Sequence, residues 1–174
     1  LWFVGQDVAV GSQSTVIGYV MPTMTRADGT KVESPAAVAG LQIGDIIRSI
    51  DGKETREWGD VLKALVYGSG RAYDGQRTAV FIIDRAGQQH TFTLHPELAT
   101  RGKVRRVGIA RDDPIYIKGV ALASPASRTD FRPGDKILSI DGKPIRSSLA
   151  LEPALVGSSP TPHRVAVSRD QKTV

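Results

Sequence analysis

Part of this chain is written twice. Ser34 to Arg56 aligns without a gap on Ser124 to Arg146 at a constant offset of 90, with identical pairs at Ser34/Ser124, Pro35/Pro125, Ala36/Ala126, Gly44/Gly134, Asp45/Asp135, Ile47/Ile137, Ser49/Ser139, Ile50/Ile140, Asp51/Asp141, Gly52/Gly142 and Lys53/Lys143. Two copies so far apart, each with room for flanking elements, indicate two similar domains; a solenoid would repeat every ~20–50 residues. The 174 residues suffice for two small cores.

Each copy has a local logic. Ser34 or Ser124 caps exposed amides, and the proline that follows occupies the first helical position, where its missing N–H costs nothing. The first short helix stops at Gly40, which is free to take the left-handed conformation. Ile46-Ile47-Arg48-Ser49-Ile50 and Lys136-Ile137-Leu138-Ser139-Ile140 are β-branched runs of strand length, each followed by the tight-turn pair Asp-Gly. In the first copy Trp58, Val61, Leu62, Leu65 and Val66 recur at helical spacing and predict a second helix with one apolar face. Thr78 to Ile83, the turn at 84–87 and Thr91 to Leu94 then predict a β-hairpin.

The second copy is weaker. Pro153 disturbs its second helix, around Ser148 to Val156. Its strand Arg164 to Ser168 leads into Arg169-Asp170, and aligning Arg169 with Arg85 sets Val174 opposite His90. The counterpart of Thr91 to Leu94 is therefore missing, and Arg164 to Ser168 is expected to be a poorly supported edge. The first copy instead carries 13 extra residues: Val4 to Ser34 spans 30 positions and Val107 to Ser124 spans 17. The extra stretch, residues 21–33, includes the polar run Thr25 to Lys31, which reads as a solvated excursion or as the rim of a ligand site.

Composition excludes several chemistries. Zero cysteines remove disulfide scaffolds, thiolate catalysis and thiolate metal sites. No apolar run approaches the ~18 residues of a membrane-spanning helix, and Leu1 to Val4 is too short for a signal peptide. The three histidines, His90, His95 and His163, make no His-Glu-x-x-His pattern, and no Gly-x-Ser-x-Gly elbow, calcium loop or phosphate loop occurs. The net charge is +5, and the only dense basic cluster is Arg101, Lys103, Arg105 and Arg106, with Arg111 beyond. That cluster lacks the interleaved aromatics that stack bases, so a solvated linker face is favoured over a nucleic-acid footprint.

Ser-Pro-Ala, (Leu/Phe)-x-x-Gly-Asp-x-Ile, Ser-Ile-Asp-Gly-Lys, a helix and a hairpin ending in Arg together resemble PDZ domains of the circularly permuted bacterial type. The resemblance covers nearly the whole chain. It implies an α+β fold, mainly β with short helices, in two partly open barrel or sandwich domains at 1–103 and 104–174. Such domains bind an extended segment or C-terminus along a sheet edge beside a helix, with a loop of backbone N–H groups on the carboxylate. Phe3-Val4-Gly5 and Arg106-Val107-Gly108-Ile109 look like that loop, or else are simply strand ends that carry a glycine. Arg106 departs from the usual apolar residue. On the helix wall Trp58, Val61 and Leu62 are the candidate groove residues, although most of that stripe must be core.

PDZ pairs of this kind resemble those of two protease groups. One is the site-2 protease family of intramembrane zinc metallopeptidases, favoured by the close succession of the copies; the other is the HtrA family of serine proteases and chaperones. A non-enzymatic envelope scaffold is the remaining alternative. The first resemblance implies a region without catalytic residues that binds or screens membrane-protein substrates. Zinc would belong to the catalytic part of the longer protein, the setting would be the periplasmic side of a bacterial inner membrane, and nucleic acid would not be a partner.

Overall fold

The computed structural model describes residues 14–68, 70, 76–98, 104–156, 162–170 and 172–173. Contacts divide the chain into two units, which among the described residues meet in sequence between Asp112 and Asp113.

In the first unit, Ser14 to Val20 lies along the start of strand β4 (Ile46–Ile50) and ends in β1 (Ile17–Val20). The amide of Ile17 donates to Asp45 O and that of Ile47 donates to Thr15 O. A hairpin of β2 (Thr23–Thr25) and β3 (Lys31–Glu33) follows. The insertion is thus ordered into a hairpin and tied down: Arg26 pairs with Glu97, and the Ala27 amide donates to Leu98 O.

Helix α1 (Pro35–Ala39) begins as its sequence requires. Ser34 Oγ accepts from the Ala37 amide, Pro35 stands at the first position, and Gly40 closes the helix at φ +81°. Next come β4, β5 (Lys53–Glu54), α2 (Trp58–Tyr67), β6 (Ala79–Arg85) and β7 (Gln88–Leu94), and the antiparallel sheet runs β5-β4-β6-β7. The β6–β7 turn is only Ala86-Gly87, both at positive φ, the two-residue geometry that matches strand twist. Asp60 holds the start of α2 by accepting from the Arg56 and Glu57 amides. Ile17, Ala36, Ile47, Ile50, Trp58, Val61, Leu65, Phe81, Ile83 and Leu94 form the core. Strands β8 (Glu97–Leu98), β9 (Arg105–Arg106) and β10 (Ile109–Arg111) complete the unit, with β8 on β9 and β10 on β1.

The second unit repeats this plan on a smaller scale. β11 (Lys136–Ile140) lies between β12 (Lys143–Pro144) and β13 (Val165–Arg169), and β14 (Lys172–Thr173) extends the sheet as β12-β11-β13-β14. β13 is therefore paired with β11 along its length and with β14 at Ser168 and Arg169. The Ser-Pro-Ala segment forms a 3₁₀ turn over Pro125–Arg128 rather than an α-helix. Beyond it, a 3₁₀ turn at Ser148–Ala150 runs into α3 (Leu151–Leu155), which admits Pro153 because that proline falls in its first turn.

Two devices recur in both units. The aspartate of each Asp-Gly turn bonds back to the neighbouring strand: Asp51 with Val80, Asp141 with Arg164. Each buried aspartate of the Gly-Asp pair receives two nitrogens of an arginine from the hairpin strand: Asp45 from Arg85, Asp135 from Arg169.

Candidate functional site

The most structured candidate is the segment Arg105 to Arg111, which closes the first unit. Arg105 and Arg106 pair with Leu98 and Glu97. Val107 is 1% exposed within the first unit's core, and its carbonyl accepts from the Ala36 amide. Gly108 follows at φ +84°. A Cβ there would stand 2.4 Å from Ser34 Cβ and 2.7 Å from Ser34 Oγ, so only glycine fits on both steric and conformational grounds. Its carbonyl accepts from the Met21 amide, and Ser34 Oγ donates to Met21 O, which binds loop, helix start and β1 into one cluster. Ile109, Ala110 and Arg111 then pair with Val20, Tyr19 and Ile17.

β10 thus has one edge on β1 and no strand on its other edge among the described residues. Helix α2 lies beside β9. Its flank with Asp60, Lys63, Ala64 and Tyr67 lines a shallow surface with Ile50, Lys53 and Glu54. At 100° per residue, Leu62 and Val66 fall on the opposite flank, 52% and 41% exposed. A strand edge with no strand on it among the described residues, a tight glycine loop and two exposed aliphatic side chains on the helix beside β9 are the elements with which an extended, apolar-ended chain could be held.

Of the residues singled out in the sequence, Phe3, Val4 and Gly5 lie outside the described residues. Trp58 and Val61 are core residues at 9% and 0% exposure, held there by the helix face that packs on β4, whereas Leu62 is on the surface. Val107, Gly108 and Ile109 come together with Ser34 and Met21 of the first unit, although their position in the chain suggested the start of a second domain at residue 104. Burial of Val107 and the acceptor it supplies to Ala36 explain that association. Arg106 is exposed on β9. Val66 is exposed on the same flank of α2 as Leu62, and Ser34 and Met21 support the loop. The helical spacing named Val66, but nothing in the sequence distinguished it from the core stripe.

Among the described residues no group of three or more His, Asp or Glu is arranged to hold a metal ion. His163 Nδ1 lies 2.7 Å from Asp141, whose carboxyl is held below its ordinary range by that contact and by the Arg164 amide. This is a strand-end contact, and its donor set does not fit a zinc centre.

Two family profiles, each described as a PDZ domain, match residues 30–71 and 103–174. The chain belongs to the PDZ family, in two copies, with the α+β fold of that family. Three proteins named "Putative zinc metalloprotease" are similar to it. That of Treponema pallidum is 32% identical over 118 residues, 68% of this chain and 25% of the relative. That of Neisseria meningitidis serogroup A is 35% identical over 124 residues, 64% and 26% respectively. That of Mesorhizobium japonicum is 42% identical over 66 residues, 38% and 16%. The chain is a tandem PDZ region similar to part of these metalloproteases, and it spans about a quarter of the length of the first two of them.

Proposed function

We propose that this PDZ pair recognises extended protein segments or C-termini, and so selects or screens membrane-protein substrates for a zinc protease whose catalytic part lies outside these residues. The longer protein would then be a bacterial inner-membrane metalloprotease with this region on its periplasmic face. Zinc would be held by that other part, since the His and carboxylate residues described here do not form a ligand set. The observation that carries the reading is the edge of β10 away from β1, which has no strand on it among the described residues and follows a glycine loop that tolerates no side chain, together with the exposed Leu62 and Val66 of α2. An extended ligand would add to that edge through its backbone, with an apolar residue against the α2 flank. The names of the relatives support the protease context.

Peptide-library binding to the whole chain tests this. Leu62→Asp and Val66→Asp should each weaken binding at least tenfold while leaving the fold intact. Unchanged affinity in both variants would move the ligand away from this groove. Incubation of the chain with casein and membrane-derived peptides, with and without zinc, should yield no cleavage.

A further inference from the structure

The second unit carries an apolar pocket of about 370 Å³ lined by Ile117, Gly119, Val120, Ala126, Phe131 and Leu155, among others. Its meaning emerges from laying the two units on each other. Ile117 is the counterpart of Ile17: its amide donates to Asp135 O and its carbonyl accepts from Gly134, as Ile17 does with Asp45 and Gly44. Lys118-Gly119-Val120-Ala121 therefore corresponds to Gly18-Tyr19-Val20-Met21. In the first unit that stretch is strand β1 and carries β10, with the Met21 amide on Gly108 O and the Ala36 amide on Val107 O.

In the second unit the same positions have no strand on them among the described residues. The amides of Ala121 and Ala126, counterparts of Met21 and Ala36, have no backbone partner among the described residues. Ala36 is fully buried and Ser34 likewise, whereas Ala126 and Ser124 are only half-buried. The pocket thus has the place of the segment that Val107 to Arg111 fills in the first unit, and it offers the same two donors and an apolar floor.

We propose that this pocket is the seat of a strand from the same polypeptide, supplied beyond Val174: the second copy's counterpart of Arg105 to Arg111. In the first unit that segment follows the hairpin strand bearing Arg85. Arg169 holds the equivalent place through its pair with Asp135, so the counterpart falls about 15–21 residues after Val174. The chain spans about a quarter of the length of its first two relatives, so a longer protein of that kind would have chain to supply it. The strand should have an apolar-Gly-apolar centre, since Gly108 is demanded by Ser34 and the second copy repeats that serine as Ser124. The second unit would have an edge on which to add a ligand only after this strand is seated, whatever the first unit binds.

Amide hydrogen exchange is to be compared between the 174-residue chain and the same chain carried on for about 30 residues of the longer protein. The extended chain should show at least tenfold slower exchange at residues 119–121 and 126 and a higher melting temperature of the second unit. Ala121→Pro, which removes one of the two waiting donors, should abolish most of that gain and leave the 174-residue chain unchanged. Equal exchange in the two chains overturns the proposal. So does protection already present in the 174-residue chain that disappears when residues 1–5 are deleted, which would make the N-terminal segment the occupant. Protection that appears only when a separate peptide is added to the extended chain also overturns it, and assigns the pocket to a partner.

Discussion

Arg169 grips the buried carboxylate of Asp135 with Nε at 2.8 Å and a terminal nitrogen at 2.7 Å, and a terminal nitrogen also donates to Asp130 O at 2.8 Å. Asp135 is 1% exposed, so this one side chain links the hairpin strand to the loop that enters β11. Removing it would leave a charge uncompensated in the interior. Arg169→Met should lower the melting temperature of the second unit by roughly 5 °C or more, and Arg169→Lys should recover only part of the loss because an ammonium cannot match the two-nitrogen fork. Calorimetry of the whole chain checks both.

The same pair sets an acid limit. The Arg169 hydrogen bonds, aided by the Arg132 amide, hold the Asp135 carboxyl down at about 2. A carboxylate depressed in the folded state adds stability above its unfolded pKa and loses it as the pH falls through the folded value. Stability of the second unit should therefore decline between about pH 4 and pH 2, and Asp135→Asn should flatten that slope in urea titrations. An unaltered slope would assign the acid sensitivity to other carboxylates, Asp141 among them.

Gly108→Ala should cost the first unit roughly 2 kcal/mol, from left-handed backbone and collision with Ser34 together. Its diagnostic is local: amides of Tyr19, Met21 and Ala110 should lose exchange protection while the β6–β7 hairpin keeps it. Pairing Gly108→Ala with Ser34→Gly should recover part of the cost, because the nearest obstructing atoms are the serine's Cβ and Oγ.

Two neighbours on α2 should behave oppositely. Val61 is fully buried, and Val61→Ala should destabilise by about 2 kcal/mol. Leu62 is about half exposed, and Leu62→Ala should change stability by less than about 0.5 kcal/mol while weakening peptide binding. Urea midpoints and a peptide titration on each variant separate the two roles.

Much of this architecture was legible because local chemistry and long-range packing agree in the repeat. Ser34, Pro35 and Gly40 mark the start and stop of α1 locally, and Asp51-Gly52 marks its turn, although the second copy, with the same Ser-Pro-Ala but no glycine at the place of Gly40, forms only a 3₁₀ turn. The stripe Trp58, Val61, Leu62, Leu65, Val66 gave the helix but not its division into core and groove, since adjacent apolar positions are sorted only by what packs against them. The hairpin at 23–33 was illegible because its strands are three residues each and depend on Glu97 and Leu98, more than sixty positions away. The clasps on Asp45 and Asp135 were visible as repeated letters, yet their pairing with Arg85 and Arg169 is a fact of the sheet register. Val107 and Gly108 look alike at the end of one unit or the start of the next. The Ala36 and Met21 amides and the burial of Val107 decide between them.

The pairing of β1 with β10 joins residues near 20 to residues near 110. On a chain made from its N-terminus, the hairpin, both helices and the central sheet of the first unit can all form before that last strand has been synthesised. Closing so long a loop is also among the slower steps open to a small domain. The edge proposed for the ligand is therefore the last part of the first unit to come into being, and on that proposal a nascent or partly opened molecule would be blind to a peptide while still largely folded.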